Sequence, residues 1–407
     1  SVREAALRLA QGEPVLNGEY FRMCPNNAFL TFLLAVPLWA AGRLGLAVPY
    51  AVLPYASTWL VSLSCIVCEL CVCKLTQSRF ARLGALLLMT VWIGFTLTNV
   101  VPYTDTFSIL FPVTAFYVYL SRMRSFPKWL LITLLCFFGA NVKPTVLIFE
   151  IALILLSAFR VFPLSAMTRK RWLRAGAVVL AIVLGAVPMR LLHDASIRYL
   201  AGSATPQEQL SETHYLMIGM NDDSYGGHSD EDLAFSTSFA TLAERQAANL
   251  QVVLERVNAR GFLGNVRFLA IKAYKAFSDG TLAAGHSYLI LQRPVRTDAF
   301  SVTLRKFYQY NSRENILAST VQQGVWLVIL LLCLAAFLRK SRRSRVTALL
   351  GFTLLGVGGY QLLFEVWPRY LFLYAPFFII TASIGLDGLR WPLRWKTVKA
   401  AAPVAKA

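Results

Sequence analysis

Arg160-Val161-Phe162-Pro163-Leu164-Ser165-Ala166-Met167-Thr168-Arg169-Lys170-Arg171-Trp172-Leu173-Arg174 carries five basic residues and no acidic one, and it lies between two long apolar runs. Four further stretches repeat the pattern: 74–82, 121–128, 339–345 and 390–407. Together the five stretches hold 21 of the 40 Lys and Arg, and all 21 Asp and Glu lie outside them. The formal net charge of +19 is therefore concentrated in short connectors, because the rest of the chain carries 19 basic against 21 acidic residues. Positive charge between apolar spans is retained on the cytoplasmic side of a membrane. The clusters thus predict the number of crossings and the side on which each loop emerges.

Composition agrees. A chain that is 57% hydrophobic and 15% charged is not an ordinary soluble domain. Uncharged runs such as 83–101, 321–338 and 370–386 suit a hydrocarbon core of about 30 Å. Basic patches often mark nucleic-acid binding. Here they are short, scattered and adjacent to spans, so they read as orientation anchors and no nucleic-acid partner is expected. Cys65, Cys68, Cys71 and Cys73 crowd one span, with a spacing that imitates a metal or redox pair. Cysteine also packs as a small apolar residue, and that is the preferred reading.

If the five clusters are cytoplasmic, each neighbouring pair must be joined by an even number of spans. The segments 83–101 and 104–120, 129–141 and 144–162, 173–192 and 318–338, and 346–364 and 370–388 supply two each. With 53–73 before the first cluster, the expectation is an all-α polytopic membrane protein of about nine spans. The segment 129–141 is short for a crossing of about 20 residues and is expected to end inside the membrane, with Pro144 opening the next helix. The stretch 27–48, interrupted by Pro37, Gly42, Arg43 and Gly45, reads as a juxtamembrane or re-entrant helix. Val2–Ala10 reads as an amphipathic helix already under way, and a further N-terminal segment is expected before Ser1. The resulting organisation is an external loop with juxtamembrane helices (1–52), an N-terminal transmembrane module (53–192), an external helical loop domain (193–317), a C-terminal transmembrane module (318–389) and a basic cytoplasmic tail (390–407). Within the loop domain, Leu242, Leu250, Val253, Leu254 and Val257 give one helix ended by Gly261. Val266, Leu269, Ala270, Ala273 and Phe277 give the apolar face of a second.

On this topology the unusual polar residues emerge opposite the positive charge. Pro102-Tyr103-Thr104-Asp105-Thr106, Asn141-Val142-Lys143-Pro144-Thr145 and Phe364-Glu365-Val366-Trp367-Pro368-Arg369-Tyr370 each link two spans externally. Ionisable residues at span boundaries are costly and mark functional sites. One acidic, one basic and one mixed loop on a single face predict a polar cavity that binds an anion beside a carboxylate. Each member has a plainer alternative: Asp105 or Thr104 as a helix N-cap, Lys143 snorkelling to the interface, and Glu365 with Arg369 as an ordinary ion pair. Glu150, inside a span past Pro144, reads either as a cavity residue or as an interhelical hydrogen-bonding group. In the large loop, Asn221, Asp223, Gly226 and Asp232 fall at positions 1, 3, 6 and 12 of a calcium-loop spacing. Tyr225 stands at a ligand position there, and Asp232 replaces the bidentate Glu, so a tight polar loop is preferred. Asp279 and His286 are candidate rim residues.

The run Tyr20-Phe21 with Pro25-Asn26-Asn27, then Pro102–Thr106, then Lys143-Pro144-Thr145, then Glu365 with Arg369-Tyr370 before a last apolar span, resembles bacterial integral-membrane glycosyltransferases of the GT-C fold. The resemblance is to relatives of the protein mannosyltransferase and aminoarabinose transferase group, especially a Gram-positive subgroup, and it covers nearly the whole chain. It implies a multi-pass protein of the bacterial plasma membrane, with its active face extracytoplasmic and its C-terminus cytoplasmic. The implied partners are a polyprenyl-phosphate sugar, membrane lipids, and a glycan, lipid or protein acceptor. Asp105 is the expected catalytic residue. Tyr103, Lys143, Glu365, Arg369, Tyr370 and Asp279 are the expected substrate-binding residues. No cofactor is expected beyond the lipid-linked sugar, and no metal ligands are assigned. The family's principal carboxylate lies in the first external loop, whose start is expected upstream of Ser1.

The chemistry is consistent with these residues. Sugar transfer from a lipid phosphate needs a base for the acceptor hydroxyl and cations for the departing phosphate. Without a paired-carboxylate signature for double displacement, inversion at the anomeric carbon is expected. The rival readings are a transporter or flippase of a lipid-linked sugar, whose kind often carries inverted repeats and mid-membrane helix breaks, and a non-catalytic membrane scaffold.

Overall fold

The computed structural model describes residues 2–15, 18–46, 49–99, 101–158, 168–202, 209–284, 297–309, 311–339 and 344–389. His286, the tail 390–407 and parts of the clusters 160–174 and 339–345 lie outside the described residues. No strand occurs among the described residues. The helices run in the order α1 (Val2–Gln11), α2 (Gly18–Met23), α3 (Ala28–Arg43), α4 (Val52–Leu75), α5 (Arg79–Val91), α6 (Gly94–Asn99), α7 (Thr104–Ser108), α8 (Leu110–Tyr119) and α9 (Ser125–Ala140). They continue with α10 (Leu147–Ala158), α11 (Arg169–Ala201), α12 (Glu212–Gly219), α13 (Asp230–Thr237), α14 (Leu242–Phe277), α15 (Ala299–Tyr308), α16 (Arg313–Leu338), α17 (Arg345–Leu363) and α18 (Ala375–Gly388). Short 3-10 turns precede α4, α10 and α18 at Pro49–Ala51, Pro144–Val146 and Pro368–Tyr374.

Five helical segments are long and apolar enough to cross a membrane: Pro49–Leu75, Arg169–Ala201, Arg313–Leu338, Arg345–Leu363 and Pro368–Gly388. The apolar helices Ser125–Ala140 and Pro144–Ala158 are shorter. Every segment expected to span is helical where it is described, but two are interrupted. The stretch 104–120 divides into α7 and α8 around Ile109, whose backbone stays helical. The stretch 83–101 breaks at Trp92, with α5 ending at Val91 and α6 starting at Gly94. A backbone opened inside a buried apolar bundle must find partners within the protein. Gln322 of α16 supplies both: its Nε2 donates to Val91 O at 3.1 Å and its Oε1 accepts from Ile93 N at 2.7 Å. Trp92 stacks on Trp326 with ring centroids 5.1 Å apart and donates Nε1–H to Gly280 O. The α11 helix runs through Ala201, beyond the expected end at Leu192, so His193 and Asp194 are helical. The stretch expected to be juxtamembrane forms α3, which continues through Pro37 and ends where Gly45 takes a positive φ of 66°.

Burial divides the helices into inner and outer. Every residue of α18 from Ala375 to Gly385 is buried, as expected for a helix that is apolar all round. A Cβ at Gly385 would lie 2.1 Å from Leu332 O, so α16 and α18 approach through that missing side chain. In contrast, α11 exposes Leu173, Val179, Leu180, Val183, Leu184, Val187 and Leu191. Such a surface is stable against lipid tails and would be an aggregation hazard in water.

The loop domain departs from its expected pattern. A kink at Gly261 (φ 61°, ψ −176°) does divide α14. The buried face, however, carries Arg245, Asn249, Val253, Phe268, Lys272 and Ala276, while the expected apolar positions Leu250, Leu254 and Val266 are exposed. Polar partners, described below, decide which face turns inward.

Candidate functional site

Three interhelical segments meet. Tyr103 is the N-cap of α7, with its backbone N–H donating to Thr106 Oγ1 at 3.2 Å. Asp105 therefore lies in the first turn rather than at the cap, which corrects the capping alternative. Its carboxylate is 1% exposed, so it is withdrawn from solvent at a helix N-terminus that favours negative charge. Lys143 precedes Pro144, which excludes the helical conformation for the residue before it. Its backbone is extended (φ −148°, ψ 111°), and the side chain leaves the α9–α10 corner to donate to Asp105 Oδ1. Pro368 imposes the same on Trp367 (φ −153°, ψ 130°) and starts the turn that carries Arg369. Tyr374 joins these two Pro-led segments. Its hydroxyl donates to Thr145 O at 2.8 Å and accepts from Phe149 N at 3.2 Å.

The charged centre is asymmetric. Asp105 Oδ1 is bound to Lys143, whereas Oδ2 faces Arg369 Nε at 3.5 Å and neither of these two atoms has a hydrogen-bond partner. The Arg369 guanidinium lies over the Tyr103 ring, 5.0 Å from its centroid, and is about a quarter exposed. Lys143 Nζ lies 4.6 Å from the Tyr370 ring centroid, and the Tyr370 hydroxyl donates to Glu365 Oε2 at 2.9 Å. Burial pushes the Lys143 ammonium below its ordinary value, and Asp105 opposes that shift. The structure therefore brings together Asp105, Tyr103, Lys143, Glu365, Arg369 and Tyr370.

Asp279 does not join them. Its carboxylate accepts from Thr281 N (2.8 Å), Thr281 Oγ1 (2.6 Å) and Ala283 N (2.7 Å), which steadies a turn where Leu282 and Ala283 have positive φ. No contact links it to Asp105 among the described residues. Glu150 accepts from Thr133 Oγ1 at 2.5 Å, joining α9 to α10, which is the interhelical alternative. Cys68 and Cys71 are buried in the main core. The groove between α1 and α3, with a cavity volume of about 330 Å³, is lined by Leu7, Leu38, Trp39 and Arg43 and shares no residue with the charged centre.

The loop domain also holds the mixed segment. Lys272, fully buried, donates to Gly219 O (2.6 Å), Leu362 O (2.9 Å) and Phe364 O (2.8 Å). Burial, with Lys275 and Arg260 nearby, pushes Lys272 down to about 7, while the three carbonyls act to hold its charge. Val366 N donates to Gly226 O at 2.8 Å, and a Cβ at Gly219 would lie 2.5 Å from Leu363 O. The acidic stretch is closed by its own partners. Asp232 accepts from Arg256 at 2.8 and 3.0 Å and from Asn221 Nδ2 at 3.0 Å, so its carboxylate is committed to an ion pair rather than to a calcium shell. Sequence reasoning missed Lys272, Arg256 and Gln322, because each acts on a partner far away in the chain.

The sequence model of a family described as "Conserved hypothetical integral membrane protein" matches residues 6–388, and the chain belongs to that family. No curated protein and no solved structure matches it. Five apolar crossing helices and this membership make the chain a multi-pass integral membrane protein.

Proposed function

We propose that this family member is a glycosyltransferase of the GT-C type. In this reading it moves a sugar from a polyprenyl-phosphate carrier to an extracytoplasmic glycan, lipid or protein acceptor. The observation that carries the reading is the meeting of three interhelical segments in a cluster with an uncommitted carboxylate oxygen and an open guanidinium. Arg369 donates no hydrogen bond among the described residues, so its fork is available for bidentate contact with a phosphate. A site at helix ends within an apolar bundle suits a substrate whose head group is charged and whose tail stays in lipid.

In this mechanism the acceptor hydroxyl gives its proton to Asp105 Oδ2, and the acceptor oxygen attacks the anomeric carbon from the face opposite the phosphate. The bond from that carbon to the phosphate oxygen breaks, and its electron pair leaves on polyprenyl phosphate. Arg369 and Lys143 stabilise the charge that develops there. The stereochemical outcome is inversion. Lys143 also holds Asp105 in place before the phosphate enters. In the full topology nine segments cross a bacterial plasma membrane, the cluster opens extracytoplasmically and the C-terminus is cytoplasmic.

The test is transfer from polyprenyl-phosphate hexose by the full-length protein in proteoliposomes. Release of polyprenyl phosphate with a glycosylated acceptor is expected. Transfer unchanged in Asp105→Asn and Arg369→Ala would remove the assigned site. Movement of intact lipid-linked sugar across the bilayer without phosphate release would establish the flippase reading instead.

A further inference from the structure

Beyond the phosphate fork, tyrosines of α2, α12 and α17 lie near the charged centre. Leu210 N donates to Met23 O at 3.3 Å, which brings the end of α2 against the start of α12. Gly219 packs α12 on the end of α17. Tyr215, one helical turn before Gly219, shares its face, and Tyr360 near the end of α17 stacks on Phe364 with centroids 4.9 Å apart. Tyr215 lies within electrostatic reach of Cys24, Tyr103, Tyr360 and Glu365, and Tyr20 within reach of Cys24 and Tyr103. Asn27 Nδ2 donates to the Tyr20 hydroxyl at 2.7 Å, which leaves that hydroxyl's own proton free to donate. These side chains are half-buried, apart from the more exposed Tyr103.

We propose that Tyr20, Tyr103, Tyr215, Tyr360 and Glu365 form a subsite for a neutral, hydroxyl-bearing sugar ring, placed beside the phosphate fork of Arg369. This rests on the glycosyl-transfer reading and specifies its donor. Aromatic faces match the C–H faces of a pyranose, while phenol hydroxyls and a carboxylate match its hydroxyl groups. Charge argues for neutrality. Asp105 and Glu365 stand against Lys143, Arg369 and Lys275, whose charge acts on Glu365, so the formal sum is +1. A phosphodiester supplies the single negative charge that balances this, and an ammonium on the sugar would leave an uncompensated positive charge.

Cys24, a free thiol at the border of this subsite, provides the readout. The purified full chain in detergent is titrated with decaprenyl phosphate, decaprenyl-phosphate glucose and decaprenyl-phosphate glucosamine. Lipid binding is followed by quenching of protein fluorescence, and maleimide modification of Cys24 by peptide mass spectrometry. All three lipids are expected to bind through the phosphate. The glucose lipid is expected to slow Cys24 modification about five- to tenfold more than the sugar-free lipid, the size that one aromatic contact supplies. The glucosamine lipid is expected to protect less than the glucose lipid. Tyr215→Ala should abolish the extra protection and keep decaprenyl phosphate binding, and Tyr215→Phe should keep most of both. Equal Cys24 protection by glucose and sugar-free lipids, both bound, would overturn the subsite and leave the phosphate reading standing. Stronger protection by the glucosamine lipid would overturn the neutral assignment. If no lipid binds, the phosphate reading fails and the subsite fails with it.

Discussion

Asp232 and Asp105 are both buried carboxylates that face an arginine, yet they are finished differently. Asp232 in α13 receives a bidentate Arg256 and an amide from Asn221, and Arg256 also donates to Met217 O at 2.8 Å. Every group there is committed, so the network can only hold α12, α13 and α14 together. Asp105 leaves Oδ2 without a hydrogen bond, opposite an Arg369 that is likewise unfilled. A buried polar atom without a partner carries a desolvation penalty, and in the proposed reading the substrate supplies the missing partner at this meeting point of three segments. The difference between the two sites lies in satisfaction, since both are buried and both are charged.

Removing each carboxylate in turn separates the two sites. Asp105→Asn should lower sugar transfer by about 10²–10⁴-fold, the usual contribution of a positioned base, with a smaller loss of stability because Arg369 reaches solvent. Rates and thermal midpoints measured on the same preparation check it, and a midpoint that falls in step with the rate would make Asp105 merely structural. Asp232→Ala should instead cost about 3–5 kcal/mol of stability, the penalty for leaving one partner of a buried pair. Denaturation of the loop domain monitored by limited proteolysis would show it, and a change within experimental error would refute the closed-network reading. Lys272→Met should cost about 1–3 kcal/mol, because three carbonyls lose a common donor. The damage should appear first as faster proteolysis between α12 and α14.

The smallest effect belongs to pH. Burial holds His214, hydrogen-bonded to Ser236 Oγ at 2.7 Å, down at about 4 against an ordinary 6.5. As pH falls through 6.5 the unfolded chain takes up this proton before the folded one. Stability is therefore lost from about pH 6.5 downward and levels off below about 4. At pH 6 the loss is about 1 kcal/mol. The thermal midpoint of His214→Gln should fall less between pH 7 and 6 than that of the parent chain. Parallel slopes would remove His214 as the cause.

What the sequence made legible follows from which forces are local. Apolar runs become helices because a hydrophobic segment needs no partner to reveal itself, and the Pro residues at 144 and 368 announce the extended residues beside them. The motifs at Asp105, Lys143 and Arg369 were readable because charges at span ends are conspicuous. The break at Trp92 was not, since its stabilising amide, Gln322, lies far along the chain and looks like an ordinary polar residue. The inward face of α14 was misread for the same reason. Lys272 has the profile of a surface lysine, and only the carbonyls of Gly219, Leu362 and Phe364 make its burial tolerable. Asp279 looked like a rim residue because a carboxylate near glycine is common to rims and to turns, and its own backbone neighbours occupy it.

Lys272 also determines how the loop domain responds to its surroundings. Three carbonyl oxygens gathered around one cation is an arrangement that elsewhere depends on a dissolved ion and weakens when that ion is diluted. Here the cation is covalently part of the chain, so its local concentration is constant. Salt screens exposed charges and affects enclosed ones far less. Docking of the loop domain onto Leu362–Phe364 by the protonated Lys272 is thus little affected by the salt of the surrounding medium, while the exposed charges around it respond to it.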